Sequence, residues 1–282
     1  MACELPAKLG VPLSRFSRAE LRRYVLAAGI VAEISGMTIW RWLREDAIRP
    51  WNHRSWIFPR DPAFAEKAGP VLDLYHRRWQ GKPLGPRDFV LSADEKTQIQ
   101  IRSRRHPITP PASRQPMRVA SEYSRHGTCA YLAAWDVHRA ALFGRVLKRI
   151  SIRAFDALVA DVMNRAPYRT ARRVFWVVDN GTIHRGQRAI GRLQARWPNL
   201  ILVHLPVHAS WLNQIEIYFS IVQRKALTPD DFACRDDVVK RLLGFQRHYQ
   251  TIAPPFEWRF TRRDLARLLH RCSGSPYLAK AA

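Results

Sequence analysis

Three carboxylates stand out in a chain otherwise rich in cations: Asp94 in LSADEKTQIQ, Asp179 in VFWVVDNGTIH and Glu216 in ASWLNQIEIYF. The first two close apolar runs, which places each at a rim where a strand gives way to a turn, and the Asn-Gly after Asp179 is such a turn. The third lies in a segment of helical periodicity. Brought together, three such groups repel, and without a cation at least one has its pKa raised. Hard divalent cations such as Mg²⁺ take oxygen ligands. Two of them about 4 Å apart clamp the attacking and leaving oxygens of an in-line phosphoryl displacement. Asp94, Asp179 and Glu216 are therefore the candidate catalytic and metal-ligating residues.

Their setting sharpens the reading. The chain has 282 residues with 47 Lys plus Arg against 23 Asp plus Glu, a formal charge of +24. Between Asp94 and Ala226 there are 22 basic residues and only eight acids: Asp94, Glu95, Glu122, Asp136, Asp156, Asp161, Asp179 and Glu216. Such an excess seeks polyanions, so cations grip a nucleic-acid backbone while the scarce acids hold metal. At 47% apolar residues the chain is neither disordered nor of low complexity. No apolar run reaches the 18 residues of a spanning helix, and Glu4 and Pro6 fall where a signal peptide needs an apolar stretch, so the expected compartment is cytoplasmic. Cys3, Cys129, Cys234 and Cys272 form no C-x-x-C pair and read as buried free thiols.

The elements that must position the acids follow from periodicity. Residues 1–49 read as a helix-turn-helix domain, with short helices between Ser17 and Glu45 broken at Gly29 and at Ser35-Gly36. In the last piece Ile39, Trp42 and Leu43 have core spacing, while Thr38, Arg41 and Arg44 face outward as DNA-binding candidates. Residues 50–87 read as a linker with a connecting helix over 63–79, and 88–282 as the catalytic domain with a helical tail. Strands are expected at 89–93, 127–137, 141–147, 174–178 and 200–205, and helices at 152–164, 184–197 and 210–227, the last with Ser210 as N-cap. The order βββαβαβα implies an α/β fold with a mixed sheet, and sites in such sheets gather at the carboxyl ends of strands.

The phrases DEKTQIQ, VVDNGTIHRG, LPVHASWLNQIEIYFSIVQRKALTP and FEWRFTRRDLARLL resemble the DDE transposases of bacterial insertion sequences, in the mariner superfamily and its IS-six-thirty group. The 36 residues between Asp179 and Glu216 agree with that superfamily's spacing. The resemblance implies an RNase H-like catalytic fold whose acids bind two Mg²⁺ or Mn²⁺ ions, Asp94 bridging both and Asp179 and Glu216 each completing one. It implies hydrolysis at transposon ends, then attack of the freed 3′-hydroxyl on target DNA at a TA dinucleotide. The implied partners are double-stranded DNA, as terminal inverted repeats and target, and a second copy in a homodimer, all in the bacterial nucleoid. Members of the group carry a further helix-turn-helix upstream of the ACELPAKLGVPLSRFS text, so a truncated reading frame is expected here.

Secondary candidates surround the acids. Asn213 lies three residues before Glu216, hence on the same helix face, and Asn180 follows Asp179; either is a candidate to position an ion's water or a phosphate. His184 and His208 are weaker candidates, and Trp211 reads as groove aromatic or core. The stretch from Lys96 to Arg125, with Arg102, Arg104, Arg105, Arg114 and Arg118, reads as an irregular DNA-gripping loop, which in the resembled family reaches a partner subunit. Two alternatives stand beside the transposase: an RNase H-like nuclease, against which the helix-turn-helix text argues, and a DNA-binding remnant or regulator, against which the presence of all three acids argues.

Overall fold

In the computed structural model, which describes residues 2–52, 59, 61–181 and 187–273, the chain divides into two units, Met1–Phe58 and Pro59–Ala282. Among the described residues no helix is long and apolar enough to cross a membrane.

In the first unit, helix α1 (Arg18–Ala27) starts at a capping box. The Ser17 hydroxyl accepts the Glu20 N–H and the Glu20 carboxylate accepts the Ser17 N–H at 2.7 Å. Gly29, at φ +67°, ends the turn after it. The Arg22 Nε donates to the Ile34 carbonyl at 2.6 Å and holds the entry to α2 (Gly36–Glu45), whose N-cap is Ser35. Phe16, Leu21, Ile34, Ile39 and Leu43 form the core. Trp42, expected in that core, is instead 53% exposed. Ile39 and Leu43, four apart, lie on the face that packs against α1, and a pair of short helices buries only one stripe of α2, leaving Trp42 on its flank. Trp40 is half-buried, with the Arg44 guanidinium stacked over it at 5.1 Å.

The larger unit is built on a five-stranded sheet. Strands β1 (Asp88–Arg104), β2 (Tyr123–Asp136) and β3 (Leu142–Leu147) form an antiparallel meander, and β4 (Arg173–Val178) and β5 (Leu200–His204) join parallel to β1, giving the order β3-β2-β1-β4-β5. Helices α3 (Phe64–Tyr75), α4 (Ile152–Met163), α5 (Gln187–Arg196), α6 (Ile215–Lys225), α7 (Arg235–Ile252) and α8 (Arg262–Ser273) complete it. From β1 onward the order is the expected βββαβαβα, followed by the helical tail.

Alternation sorts the central strands between two cores. Val90, Tyr131, Ala133, Trp135, Phe175 and Val177 face a layer containing α3, α6 and α7, while Phe89, Leu91, Ala93, Leu132, Trp176 and Val178 face α4 and Leu193 of α5. Helix α3 was expected as a connector. Its Phe64, Ala68, Val71, Leu72, Leu74 and Tyr75 are part of the first core.

Three further expectations give way. Strand β1 runs eleven residues beyond Ala93, so both arms of the basic stretch are laddered, with Arg102 opposite Arg125 and Arg104 opposite Tyr123. Only residues 105–122 leave the ladder, and they carry the bridges Thr109 to Arg118 and Ala112 to Gln115. A register shift between Lys96 and Ile99, with Gln98 at φ +54°, turns the strand over. Even-numbered residues face the α6 side before it, and Ile99 and Ile101 do so after it. The helix expected from Ser210 is interrupted: a 3₁₀ turn covers Ser210–Leu212, Asn213 is extended at ψ 110°, and α6 begins at Ile215. Ser210 makes no side-chain cap. Of the cysteines, Cys129 and Cys272 are buried but Cys3 and Cys234 are exposed.

Tyr131, fully buried, covers Gly144 on the neighbouring strand and donates to Gln246 Oε1 at 2.9 Å. A Cβ at position 144 would lie 2.5 Å from the Tyr131 hydroxyl oxygen and 2.6 Å from its ring. The ring packs against Tyr218 and Phe219, so moving aside would press it into its neighbours. Gly144→Ala is expected to lower unfolding free energy by about 1–3 kcal/mol, as overpacking does. Urea denaturation of the two proteins measures it, and an unchanged midpoint would show that the ring yields.

Candidate active site

The site begins with strand register. The parallel ladder of β1 and β4 pairs Leu91 with Trp176 and Ser92 with Val177, and continuing it by two residues sets Asp94 beside Asp179. Adjacent strands are about 4.8 Å apart and paired residues of a parallel ladder face the same side. Val90 and Val177, which share parity with Asp94 and Asp179, both face the α6 core. The two acids therefore come off the carboxyl edge of the parallel pair on the side covered by α6, and Glu216 occupies the first turn of that helix.

Asp94 is only 7% exposed. Its Oδ1 accepts the Glu95 N–H at 2.8 Å, and its Oδ2 accepts the Asn213 Nδ2 at 3.0 Å. The same Nδ2 donates to the Ala93 carbonyl at 3.1 Å. The Ser92 hydroxyl donates to Asn213 Oδ1 in a short bond and accepts the Ile215 N–H at 2.9 Å. Tyr75, on α3, donates its hydroxyl to the Leu212 carbonyl at 2.8 Å and accepts the Gln214 N–H at 3.4 Å. Burial keeps that phenol protonated by raising its pKa. Residues 212–215, which deliver Glu216, are thus bonded to β1 and α3 at every step.

Electrostatics couple the acids. The Asp94 carboxyl is pushed up to about 7, first by burial against the opposing Glu95 N–H bond, then by the charges of Asp179, Glu95 and Glu216. Glu216 is raised by partial desolvation and by Asp179, against the pull of the Lys96 ammonium. Asp179 accepts the Gly181 N–H at 2.7 Å in the turn that follows β4.

The other scarce acids have structural partners. Asp136 accepts the Tyr168 hydroxyl at 2.8 Å and two backbone N–H groups of the β2–β3 turn. Asp161 pairs with Arg145, Asp156 with Arg192 and Glu122 with Arg105. What is left of the eight is Asp94, Glu95, Asp179 and Glu216, the set that acts on Asp94. Their all-oxygen donors suit a hard divalent cation, and each Asp94 oxygen accepts one protein hydrogen and retains lone-pair capacity. Among the described residues no three His, Cys, Asp or Glu side chains stand close enough to hold an ion as placed, so an ion would have to draw the mutually repelling carboxylates together.

The remaining candidates sort by their partners. Asn213 is not on the α6 face but in the break before it, bonded to Asp94. Asn180 donates to the Leu205 carbonyl in a short bond and ties the β4 turn to the end of β5. His184 lies outside the described residues, and His208 is exposed at φ +59°. Trp211 is core, stacked on Phe64 at 6.4 Å and edge-on to Phe260 at 5.4 Å. Arg102 and Arg104 pair with Asp230, Arg104 further donates to the carbonyls of Asp230 and Ala120, and both guanidinium groups lie over the Tyr123 ring. Arg105, Arg114 and Arg118 are exposed, as are Arg41 and Arg44; Thr38 is half-buried and its hydroxyl pairs with that of Ser35 at 2.9 Å.

Ser92, Tyr75 and Lys96 are the functional neighbours that sequence reasoning missed. Ser92 carried a signal: a polar residue inside the apolar run FVLSA, two positions before Asp94 and so on its face.

The sign of the Asp94 shift makes a test. A carboxyl raised in the folded state binds a proton that the unfolded chain has released, so in the metal-free protein this group removes stability as pH rises from about 4 to about 7. Carbon-detected NMR of the Asp94 carboxyl is expected to give a midpoint near 7 in EDTA, moving down in Asp179→Asn. A midpoint near 4 would contradict both the burial and the clustering.

Known proteins agree with this architecture. The sequence profile described as DDE superfamily endonuclease matches residues 90–239, more than half of the chain. No curated protein matches the sequence. Similar solved structures include the mariner Mos1 paired end complex with Mg, at TM-score 0.54 and 18% identity over 93% of this chain and 78% of that one. The Mos1 mariner paired end complex with Mn gives TM-score 0.51 and 16% identity over 94% and 79%. The Mos1 transposase paired-end complex with left transposon end gives 0.52 and 16% over 93% and 78%. At such identities the likeness is one of fold, and that fold is RNase H-like. The matched residues run from β1 into α7 and include all three acids, and the chain belongs to the DDE superfamily endonuclease family, an enzyme of that class.

Proposed function

We propose that the chain is the transposase of a bacterial insertion sequence in the mariner superfamily, IS-six-thirty group. It would cut DNA at transposon ends and join the freed 3′-hydroxyl to target DNA at TA. The observation that supports the reading is the β1–β4 register, Ser92 opposite Val177, which carried two residues further brings Asp94 next to Asp179 on the face covered by the helix of Glu216. In this reading the three acids hold two Mg²⁺ or Mn²⁺ ions. Such ions supply charge stabilisation of the in-line displacement and a more acidic attacking water or hydroxyl.

The chain's own residues do the rest. Asp94, bonded to Glu95 and Asn213, presents a fixed carboxylate, and Glu216 enters from a helix whose start is bonded to β1. Lys96, close enough to act on Glu216, is placed to meet a phosphate that approaches the acids. Helix α2, with Arg41 and Arg44 outward, is the proposed element for recognising terminal repeats, and the exposed arm with Arg105, Arg114 and Arg118 for gripping the backbone. Arg102 and Arg104 instead shape the root of that arm. Work on two transposon ends favours a homodimer on DNA, acting in the nucleoid.

Asp94→Ala, Asp179→Ala and Glu216→Ala should each lower Mg²⁺-dependent nicking of DNA carrying the element's ends by about 10⁴-fold while retaining DNA in a gel-shift assay. Survival of nicking in any of them removes that residue from the site, and loss of retention makes it structural. The arm gives a separate test. Arg114→Ala with Arg118→Ala should weaken DNA binding and reduce the slope of log affinity against log salt by about 2, whereas Arg104→Ala should lower thermal stability. An unchanged salt slope would take the arm out of DNA contact.

A further inference from the structure

We infer that Asn213 is a positioning residue, locked by Ser92, that fixes the Asp94 carboxylate for metal binding; this rests on the proposed metal site. Asn213 is 1% exposed and Ser92 is fully buried, so neither exchanges its partners with solvent. The Ser92 oxygen accepts the Ile215 N–H, and its single hydrogen goes to Asn213 Oδ1. That bond anchors the oxygen end of the amide. With Oδ1 toward Ser92, both hydrogens of Nδ2 point the other way, one to the Ala93 carbonyl and one to Asp94 Oδ2. A flipped amide would set its oxygen against the Ala93 carbonyl and the Asp94 carboxylate and its NH₂ against the Ser92 hydroxyl, leaving acceptors facing acceptors.

The lock has a direction. The Asn213 amide supplies hydrogens to Asp94 and has no negative charge to offer, so it orients the carboxylate rather than sharing its ion. With Oδ1 held by the Glu95 N–H and Oδ2 by Asn213, the plane of the carboxylate is set by two bonds from different segments. Because Asn213 immediately precedes the turn that carries Glu216, the same residue ties the placement of one acid to that of another. Partners of this kind behind a ligating group commonly change metal affinity 10–100-fold when removed.

The test uses the full chain and Mn²⁺ as probe, with free Mn²⁺ read by electron paramagnetic resonance, thermal unfolding in EDTA, and the Mn²⁺ dependence of nicking. Asn213→Ala is expected to raise the half-saturating Mn²⁺ concentration 10–100-fold. Ser92→Ala, which does not touch Asp94, is expected to move it the same way because the amide loses the bond that anchors its oxygen and is freer to tilt away from Asp94. The double variant should be no weaker than Asn213→Ala alone. If Asn213→Ala does not fold, Ser92→Ala decides, since it removes a single hydroxyl. Wild-type Mn²⁺ binding in a folded Ser92→Ala or Asn213→Ala protein overturns the inference, as does a loss of unfolding temperature with no change in half-saturation, the mark of a merely structural role. Asp94→Ala separates the two levels. If it too binds Mn²⁺ normally, the metal site itself fails; if it alone loses binding, only the positioning role fails.

Discussion

Burial of the Asp94 carboxylate is the constraint around which the larger unit is organised. An ionisable group at 7% exposure is costly unless it is bonded or neutralised. Here burial and three neighbouring acids hold its pKa near 7, so at neutral pH the group lies between states and a cation would tip it fully to carboxylate. The bonds that make this burial tolerable come from Glu95 on its own strand and from Asn213 in the segment ahead of α6. Stabilising one acid and delivering another are thus done by the same few residues.

That segment is held from behind by aromatic packing. Tyr75, which bonds the Leu212 carbonyl, is met edge-on by Trp258 at 5.1 Å, and Phe256 stacks on Trp135 at 4.6 Å. Phe260 closes on Trp211. The extended stretch before α8 therefore straps the face that carries the site. It is anchored in turn by a two-bond ion pair of Arg262 with Asp73, whose guanidinium lies where any side chain at Gly69 would intrude. Apolar burial supplies the strength of this strap, and the polar bonds set its position.

Charge is distributed with equal economy. Four arginines are held in structure by acids: Arg145, Arg173, Arg192 and Arg104 by Asp161, Asp88, Asp156 and Asp230. Those at the tip of the β1–β2 arm and on the outer side of α2 are solvated, where a long cation reaches a phosphate without first breaking a buried pair. Exposure, not sequence density, separates them: Arg104 is largely buried in its pair with Asp230, whereas its neighbour Arg105 meets Glu122 in a pair open to solvent.

By itself the sequence determined the strand and helix order and the mixed sheet and singled out the three acids as candidates, because apolar runs that end in a carboxylate and the change of period between strand and helix are local signals. The core role of the helix that holds Tyr75, the break at Asn213 and the flank position of Trp42 were not legible there. Periodicity reads 210–227 as one helix, and only the bonds from Ser92 and Tyr75, made across 121 and 137 residues, make an extended Asn213 more favourable than another helical turn. The bulge after Lys96, which turns Ile99 and Ile101 inward and sets Arg102 and Arg104 against Asp230, likewise depends on what each face meets. Residue type and spacing fixed which groups could do chemistry; tertiary contacts decided how they are held, since hydrogen-bond partners of buried polar groups are chosen by three-dimensional proximity and not by neighbours in the chain.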